Sequence, residues 1–181
     1  MQSIRRSVSV SWRNPRFLHG VRALSSSDSA LKKTVASLLD SLSLKPGGTL
    51  VQNCGDSDIG RAVIEAAKER KLQTVSIIED KPGNPEMIEE LKALGGDIVV
   101  PESYTKTWYM KRLVSELNPL AGLNFSDGYQ ATAVCKALAT GGTFLTHGKK
   151  LPKHVIYDGS ARKPIEWDAF TKEKKLKVLN L

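Results

Sequence analysis

Residues 49–67, TLVQNCGDSDIGRAVIEAA, set a short apolar run, a small polar turn and an amphipathic helix in direct succession. That order is the strand, phosphate loop and helix of a nucleotide-binding βαβ unit. Such a loop works because glycines let the backbone approach a pyrophosphate and because the helix N-terminus offers N–H groups and a positive dipole end. Gly55 and Gly60 supply small residues here, but Asp56 and Asp58 stand in the same turn. A carboxylate at a helix N-terminus caps orphan N–H groups and fills the place of an anion. It also repels a pyrophosphate ~4–5 Å away, by on the order of a kcal/mol per charge pair. The loop reads as a nucleotide site that has lost its nucleotide.

The rest of the chain extends that unit. SALKKTVASLLDSLSL, residues 29–44, carries apolar residues at helical spacing and leads through Lys45-Pro46-Gly47-Gly48 into a first strand at 49–53. A helix from Ile59 to Arg70 follows, then a strand at Thr74–Ile78. Asn84 as cap and Pro85 at the first helical position predict a third helix, stopped by Gly95-Gly96. Strands at 98–100, 121–125 and 144–146 alternate with helices at 104–117 and 129–139, and residues 176–181 form a last strand. The alternation predicts an α/β fold: a doubly wound parallel sheet, Rossmann-like, with helices on both faces.

Charge is uneven. Residues 1–30 hold five arginines against one aspartate, and residues 149–181 hold nine Lys/Arg against four acids, leaving the middle near neutral. A neutral core domain argues against nucleic-acid binding despite the net charge of +8. No apolar run approaches the ~18–20 residues of a membrane helix. Cys54 and Cys135 are expected as free thiols, and His19, His147 and His154 lack ligand spacing, so no metal site is expected. The Arg/Ser-rich, acid-poor start, with Arg22-Ala23-Leu24-Ser25 as a processing site, has the composition of a mitochondrial transit peptide. A basic arm is the alternative. The expected organisation is a targeting segment at 1–24, a core at 25–148 that includes the lead-in helix, and a basic C-terminal segment at 149–181 with the last, edge strand.

The ordered series LLDSLSLKPGGTLVQN, GRAVIEAAKERKLQTVSII, EMIEELKALGGDIVV and KALATGGTFLTHG resembles the nucleotide-binding domain of medium-chain dehydrogenase/reductases. Most specifically it resembles that of the mitochondrial trans-2-enoyl-CoA reductases, from about residue 35 to 181. The resemblance implies a glycine where Asp58 stands. It also implies a basic residue after the second strand for the 2′-phosphate of NADPH, where this chain has Glu79 and Asp80, with Lys81 close by. The loop that would pack beside a nicotinamide is Asn124-Phe125-Ser126-Asp127-Gly128. The catalytic tyrosine of the resembled family lies in a separate β-rich domain. Tyr104, Tyr109, Tyr129 and Tyr157 are therefore not assigned to it, and no catalytic residue is expected here.

These departures together predict a degenerate loop, Gly55, Asp58, Gly60 and Glu79, that binds no cofactor. The expected function is a non-catalytic, reductase-like accessory subunit of a mitochondrial assembly on the matrix side, with respiratory complex I first among the assemblies. The alternative is an NAD(P)H-dependent enoyl-reductase-like oxidoreductase or nucleotide sensor completed by another chain, with NADPH as cofactor. Partners are expected to be other protein subunits. Candidate contacts are the aromatic turn Trp108-Tyr109-Met110, which reads equally as helix packing, and Lys174, Lys175 and Lys177 in the tail, which read equally as a solvated face. The start of the chain carries a direct test: N-terminal sequencing of the native protein is expected to begin near residue 25, and a native chain beginning at Met1 would contradict the targeting assignment.

Overall fold

The computed structural model describes residues 26–148, 151, 154–155 and 165–181. The targeting segment 1–24 and most of the loop at 149–164, with Tyr157, lie outside the described residues. In chain order the elements are α1 (Ser26–Leu42), β1 (Thr49–Gln52), α2 (Asp58–Glu69), β2 (Gln73–Ile78), α3 (Asn84–Leu94) and β3 (Ile98–Pro101). A 3₁₀ turn (Glu102–Lys106), α4 (Trp108–Leu117), β4 (Ala121–Asn124), α5 (Gly128–Ala137) and β5 (Thr143–Thr146) follow. The chain closes with β6 (His154–Val155), β7 (Ile165–Glu166), α6 (Trp167–Glu173) and β8 (Lys177–Asn180).

Six strands form one sheet in the order β3-β2-β1-β4-β5-β8, and each neighbouring pair is parallel. The doubly wound α/β architecture expected from the sequence is therefore present. β6 and β7 pair apart from it as a short antiparallel ribbon. Successive strand residues serve opposite faces, as the pleat requires. Leu50 belongs to the core cluster that holds Leu38 and Leu39 of α1 and Val63 of α2, while Val51 belongs to the one that holds Val134 of α5 and Phe170 of α6. Both faces are covered, so β1 and β4 are buried at every position. α5 lies close on the sheet: a Cβ on Gly122 would stand 2.8 Å from Val134 Cγ1. Its small residues Ala131, Ala133, Cys135 and Ala137 permit that approach.

Two local expectations are corrected. The cap of α3 is Gly83, at φ 87°, and not Asn84. Asn84 is drawn into the helix because its side chain serves the preceding turn, donating to the Glu79 carbonyl at 3.2 Å and accepting from Lys81 N at 3.3 Å. The helix expected at 104–117 is split, because the Thr107 side chain caps a new start by accepting from Met110 N at 3.3 Å.

The last strand lies at the edge of the sheet beside β5, as expected. Phe144 is fully buried on β5, edge-on to Trp167 with ring centroids 5.4 Å apart. Phe144→Ala is expected to cost about 3–5 kcal/mol through lost burial and a residual cavity. The midpoint of a circular-dichroism melt should fall by roughly 10 °C for a domain of this size.

Candidate functional site

Strand order reverses between β1 and β4. In an open parallel sheet that gap, at the C-terminal ends of the strands, is where ligands bind. Three segments meet there: the loop 53–57 after β1, Glu79–Lys81 after β2, and Phe125–Asp127 after β4.

The loop is built by close approach. Gly55 N donates to the Ile77 carbonyl at 3.1 Å, and a Cβ on Gly55 would stand 2.9 Å from Ser76 Cβ. A Cβ on Gly60 would run into the Cys54 carbonyl oxygen, so only glycine lets the first turn of α2 sit on the loop. Ser57 is the N-cap. Its Oγ accepts from Gly60 N at 3.2 Å and donates to the Cys54 carbonyl at 2.6 Å. This corrects the expectation for Asp58, which follows the cap as an exposed first-turn residue. A serine cap suffices because Ser57 has the extended backbone that the capping position requires, and Asp58 is already helical.

Beneath the loop runs a buried polar chain. Asn53 Oδ1 accepts from Phe125 N at 2.8 Å, and its Nδ2 donates to Asn124 Oδ1 at 2.6 Å and to Ser126 Oγ at 2.9 Å. Asn124 Nδ2 donates to Thr146 Oγ1 at 2.8 Å. Ser126 Oγ donates to Gln130 Oε1 at 3.0 Å. Gln52 is fully buried and donates to the Gly60 carbonyl and to Ser76 Oγ, both at 3.0 Å, while its Oε1 is buried without a hydrogen bond. Asn124 and Ser126 belong to the loop expected beside a nicotinamide, whereas Gln52, Asn53, Thr146 and Gln130 were not singled out from the sequence, although a signal was present. Each of β1, β4 and β5 runs from apolar residues into a polar one, at Gln52-Asn53, Asn124 and Thr146. Phe125 is buried with the core residues under α1 and α2, its ring 6.4 Å from that of His147.

The charges are grouped. Lys81 Nζ lies 2.8 Å from Glu79 and 3.4 Å from Asp56. The Glu79 hydrogen bond first, and Asp56 after it, raise the lysine pKa above its usual value. Arg61 lies 2.7 Å from Glu90 and donates to the Asp56 carbonyl at 3.3 Å. Asp80 accepts from Ser103 N and Oγ, both at 2.8 Å, which fixes the segment after β2 to the one after β3. Gly55 and Gly60 thus meet in the loop and Glu79 is joined to it through Lys81 and Asp56, while Asp58 is exposed on the first turn of α2.

The other candidates lie elsewhere. Trp108 and Tyr109 are exposed and meet edge-on at 5.5 Å, but Met110 is buried in the core beneath α4, because the helix turns it toward the sheet. Lys174 is engaged within the fold: its ammonium donates to the carbonyls of Lys136 at 2.8 Å and Leu138 at 2.6 Å. A cation there complements the negative end of α5, and burial lowers its pKa. Lys175 and Lys177 are exposed. Neither cysteine is in a disulfide, and burial pushes the Cys135 thiol up to about 12, which makes it inert. Among the described residues no group of three or more His, Cys, Asp or Glu is placed to hold a metal. None of their helices is long and apolar enough to cross a membrane.

No family model matches the chain. Among curated proteins it is 38% identical over 122 residues to the mitochondrial enoyl-[acyl-carrier-protein] reductase of Dictyostelium discoideum, covering 66% of this chain and 35% of that protein. The Arabidopsis thaliana and human proteins of the same name are 37% and 32% identical over 129 and 120 residues. The chain is a relative of the mitochondrial enoyl reductases. It spans about a third of the length of the relatives it matches. In fold, 84% of it superposes on 42% of the chain in a complex of Etr1p with NADP and crotonyl-CoA, with a TM-score of 0.69 and 21% identity. A putative NADPH:quinone reductase from Bacillus thuringiensis superposes with a TM-score of 0.65 and 18% identity. The nucleotide-binding domain of medium-chain reductases is the fold of this enoyl-reductase relative. The expectation of a complex I accessory subunit is overturned, because the relatives are named as enoyl reductases and the oxidoreductase alternative fits them better.

Gly60→Ala carries a test of the loop geometry. On an open helix surface alanine stabilises by roughly 0.8–1.0 kcal/mol relative to glycine. Here the methyl has no room, so urea unfolding is expected to show a loss of about 1–3 kcal/mol. An unchanged or higher midpoint would mean the helix start does not sit on the Cys54 carbonyl.

Proposed function

We propose that this chain is the nucleotide-binding part of a mitochondrial enoyl-thioester reductase. The observation that carries the reading is its 32–38% identity, over 120–129 residues, to proteins named as such reductases. The site supports it, since the glycine-dependent contact of α2 on the loop is the device by which such folds present a helix N-terminus to a pyrophosphate. The reading replaces the absent cofactor and the pseudoenzyme expected from Asp58 with a reduced nicotinamide dinucleotide. When bound, that group supplies the hydride that reduces the carbon–carbon double bond of an enoyl thioester.

The residues of this chain bind and position. The turn 54–58 and the first turn of α2 would receive the pyrophosphate, and the segment after β4, held by Asn53, would border the nicotinamide. The thioester and the proton donor belong to a second unit, on this or another polypeptide, for which the greater length of the relatives allows. The same reading puts the chain in the mitochondrial matrix, supported by the names of the relatives and the arginine-rich start. We also propose the β8 edge, together with exposed Trp108 and Tyr109, as a protein contact, since a sheet edge offers unpaired backbone groups.

Binding tests the reading directly. Titration of the full chain with NADH and with NADPH, followed by nicotinamide fluorescence, is expected to saturate with at least one of them. Dinucleotide at 100 times its Kd should add ~2.7 kcal/mol of stability, visible as a rise in melting temperature. Absence of binding of either at millimolar concentration would overturn the proposal. Asp58→Gly is expected to tighten both dinucleotides alike, by roughly five-fold for ~1 kcal/mol of relieved repulsion at the pyrophosphate they share.

A further inference from the structure

We infer that this site takes NADH in preference to NADPH, with Glu79 as the residue that decides. The inference rests on the proposed dinucleotide site and concerns the one position at which the two cofactors differ. Glu79 follows directly on Ile78, the last residue of β2, and β2 is the neighbour of β1 on the side away from β4. In a sheet of this order, the residue at the end of the second strand faces the adenosine ribose. An acid there accepts hydrogen bonds from the ribose hydroxyls, whereas a 2′-phosphate needs a cation.

A cation is present but already committed. Lys81 Nζ is shared by Glu79 at 2.8 Å and Asp56 at 3.4 Å, so two carboxylates answer one ammonium and the group keeps a net negative charge. Arg61, the other cation beside the loop, is held by Glu90 at 2.7 Å. Asp80 adds another carboxylate, fixed in place by Ser103. A phosphate monoester brings a further charge of about −1.5 to −2 into this surrounding. It would have to take Lys81 from both carboxylates and leave them facing it unneutralised. A ribose diol demands nothing of that kind. An ionised carboxylate offers about four lone-pair sites, so Glu79 can keep Lys81 and still accept hydroxyl hydrogens. The residues therefore fit the dinucleotide core and do not fit the 2′-phosphate named with the structurally similar Etr1p complex.

The experiment is a pair of equilibrium titrations of the full chain with NADH and NADPH at fixed ionic strength, read by calorimetry, for the native protein, Glu79→Gln and Glu79→Arg. Glu79 is an exposed side chain, so both variants should fold, which a circular-dichroism melt checks. NADH is expected to bind at least ten-fold more tightly than NADPH. Glu79→Gln should weaken NADH several-fold and narrow the ratio, and Glu79→Arg should invert it. Equal or tighter binding of NADPH by the native chain would overturn the inference while leaving the dinucleotide site intact. An unchanged ratio in both variants would remove Glu79 from its role. Binding of neither cofactor would overturn the dinucleotide site and this preference with it.

Discussion

Asn53 follows the last residue of β1, at the gap between β1 and β4 where the strand order reverses. Its amide spans that gap by accepting from the backbone of Phe125 and donating to Asn124 and Ser126. A parallel sheet has ladder bonds along its strands but none beyond their ends. The segments that emerge from β1 and β4 would otherwise be free to part. The buried amides continue the pairing by one side-chain layer and fix where the loop after β4 begins. Buried polar groups of this kind cost little when every member is satisfied and much when one is lost, which makes such a chain a positioning device. The loop after β1 depends on it, because Cys54 and Gly55 follow Asn53 directly and carry the seat of α2.

Close approach and charge act on this site separately. Gly55 and Gly60 determine how near α2 comes to β1 and β2, and no charge enters that argument. Asp56, Glu79 and Lys81 determine what the mouth of the gap tolerates, and all three lie on turns outside the sheet. One fold can thus keep its binding geometry while its preference among ligands changes. Lys81, pinned by two carboxylates, belongs to the second kind. Exposed pairs of this sort add little to stability.

The fold was legible because its signals are redundant. Strand and helix alternate with glycine stops at Gly47-Gly48, Gly95-Gly96 and Gly141-Gly142, and the parallel sheet follows from that rhythm alone. Local details failed where a side chain had two uses. Asn84 has the composition of a cap, yet it bonds back to the turn at 79–81, and Gly83 takes the boundary. The run 104–117 has one helical pattern, but the Thr107 hydroxyl interrupts it. Lys174 belongs to a charge run in sequence and to the carbonyl end of α5 in space, a contact across 36 residues that no local pattern reports. Of the site, the glycines and acids were legible from spacing. Asn124 and Ser126 were legible as part of the loop after β4, but their tie to Asn53 was not, because a buried asparagine and a loop asparagine look alike until the strands on either side are paired.

The acids in the loop repel an anion, and the size of that repulsion bounds what it can do to a nucleotide site. One carboxylate near a pyrophosphate costs on the order of a kcal/mol at intermediate dielectric, and ordinary salt reduces it further when the group is exposed, as Asp58 is. A micromolar complex amounts to about 8 kcal/mol, spread over many contacts. Subtracting one or two units from such a sum moves affinity by about ten-fold and leaves a site. Abolishing it requires closing the space, and closure is a matter of packing. Phe125, the bulky candidate for such closure, packs with the core residues under α1 and α2. Gly60 keeps the one position where a methyl group would push the helix start off the loop. On the proposed reading, charges at the mouth of the gap tune which ligand is held more readily than they erase the site, in keeping with relatives named as reductases.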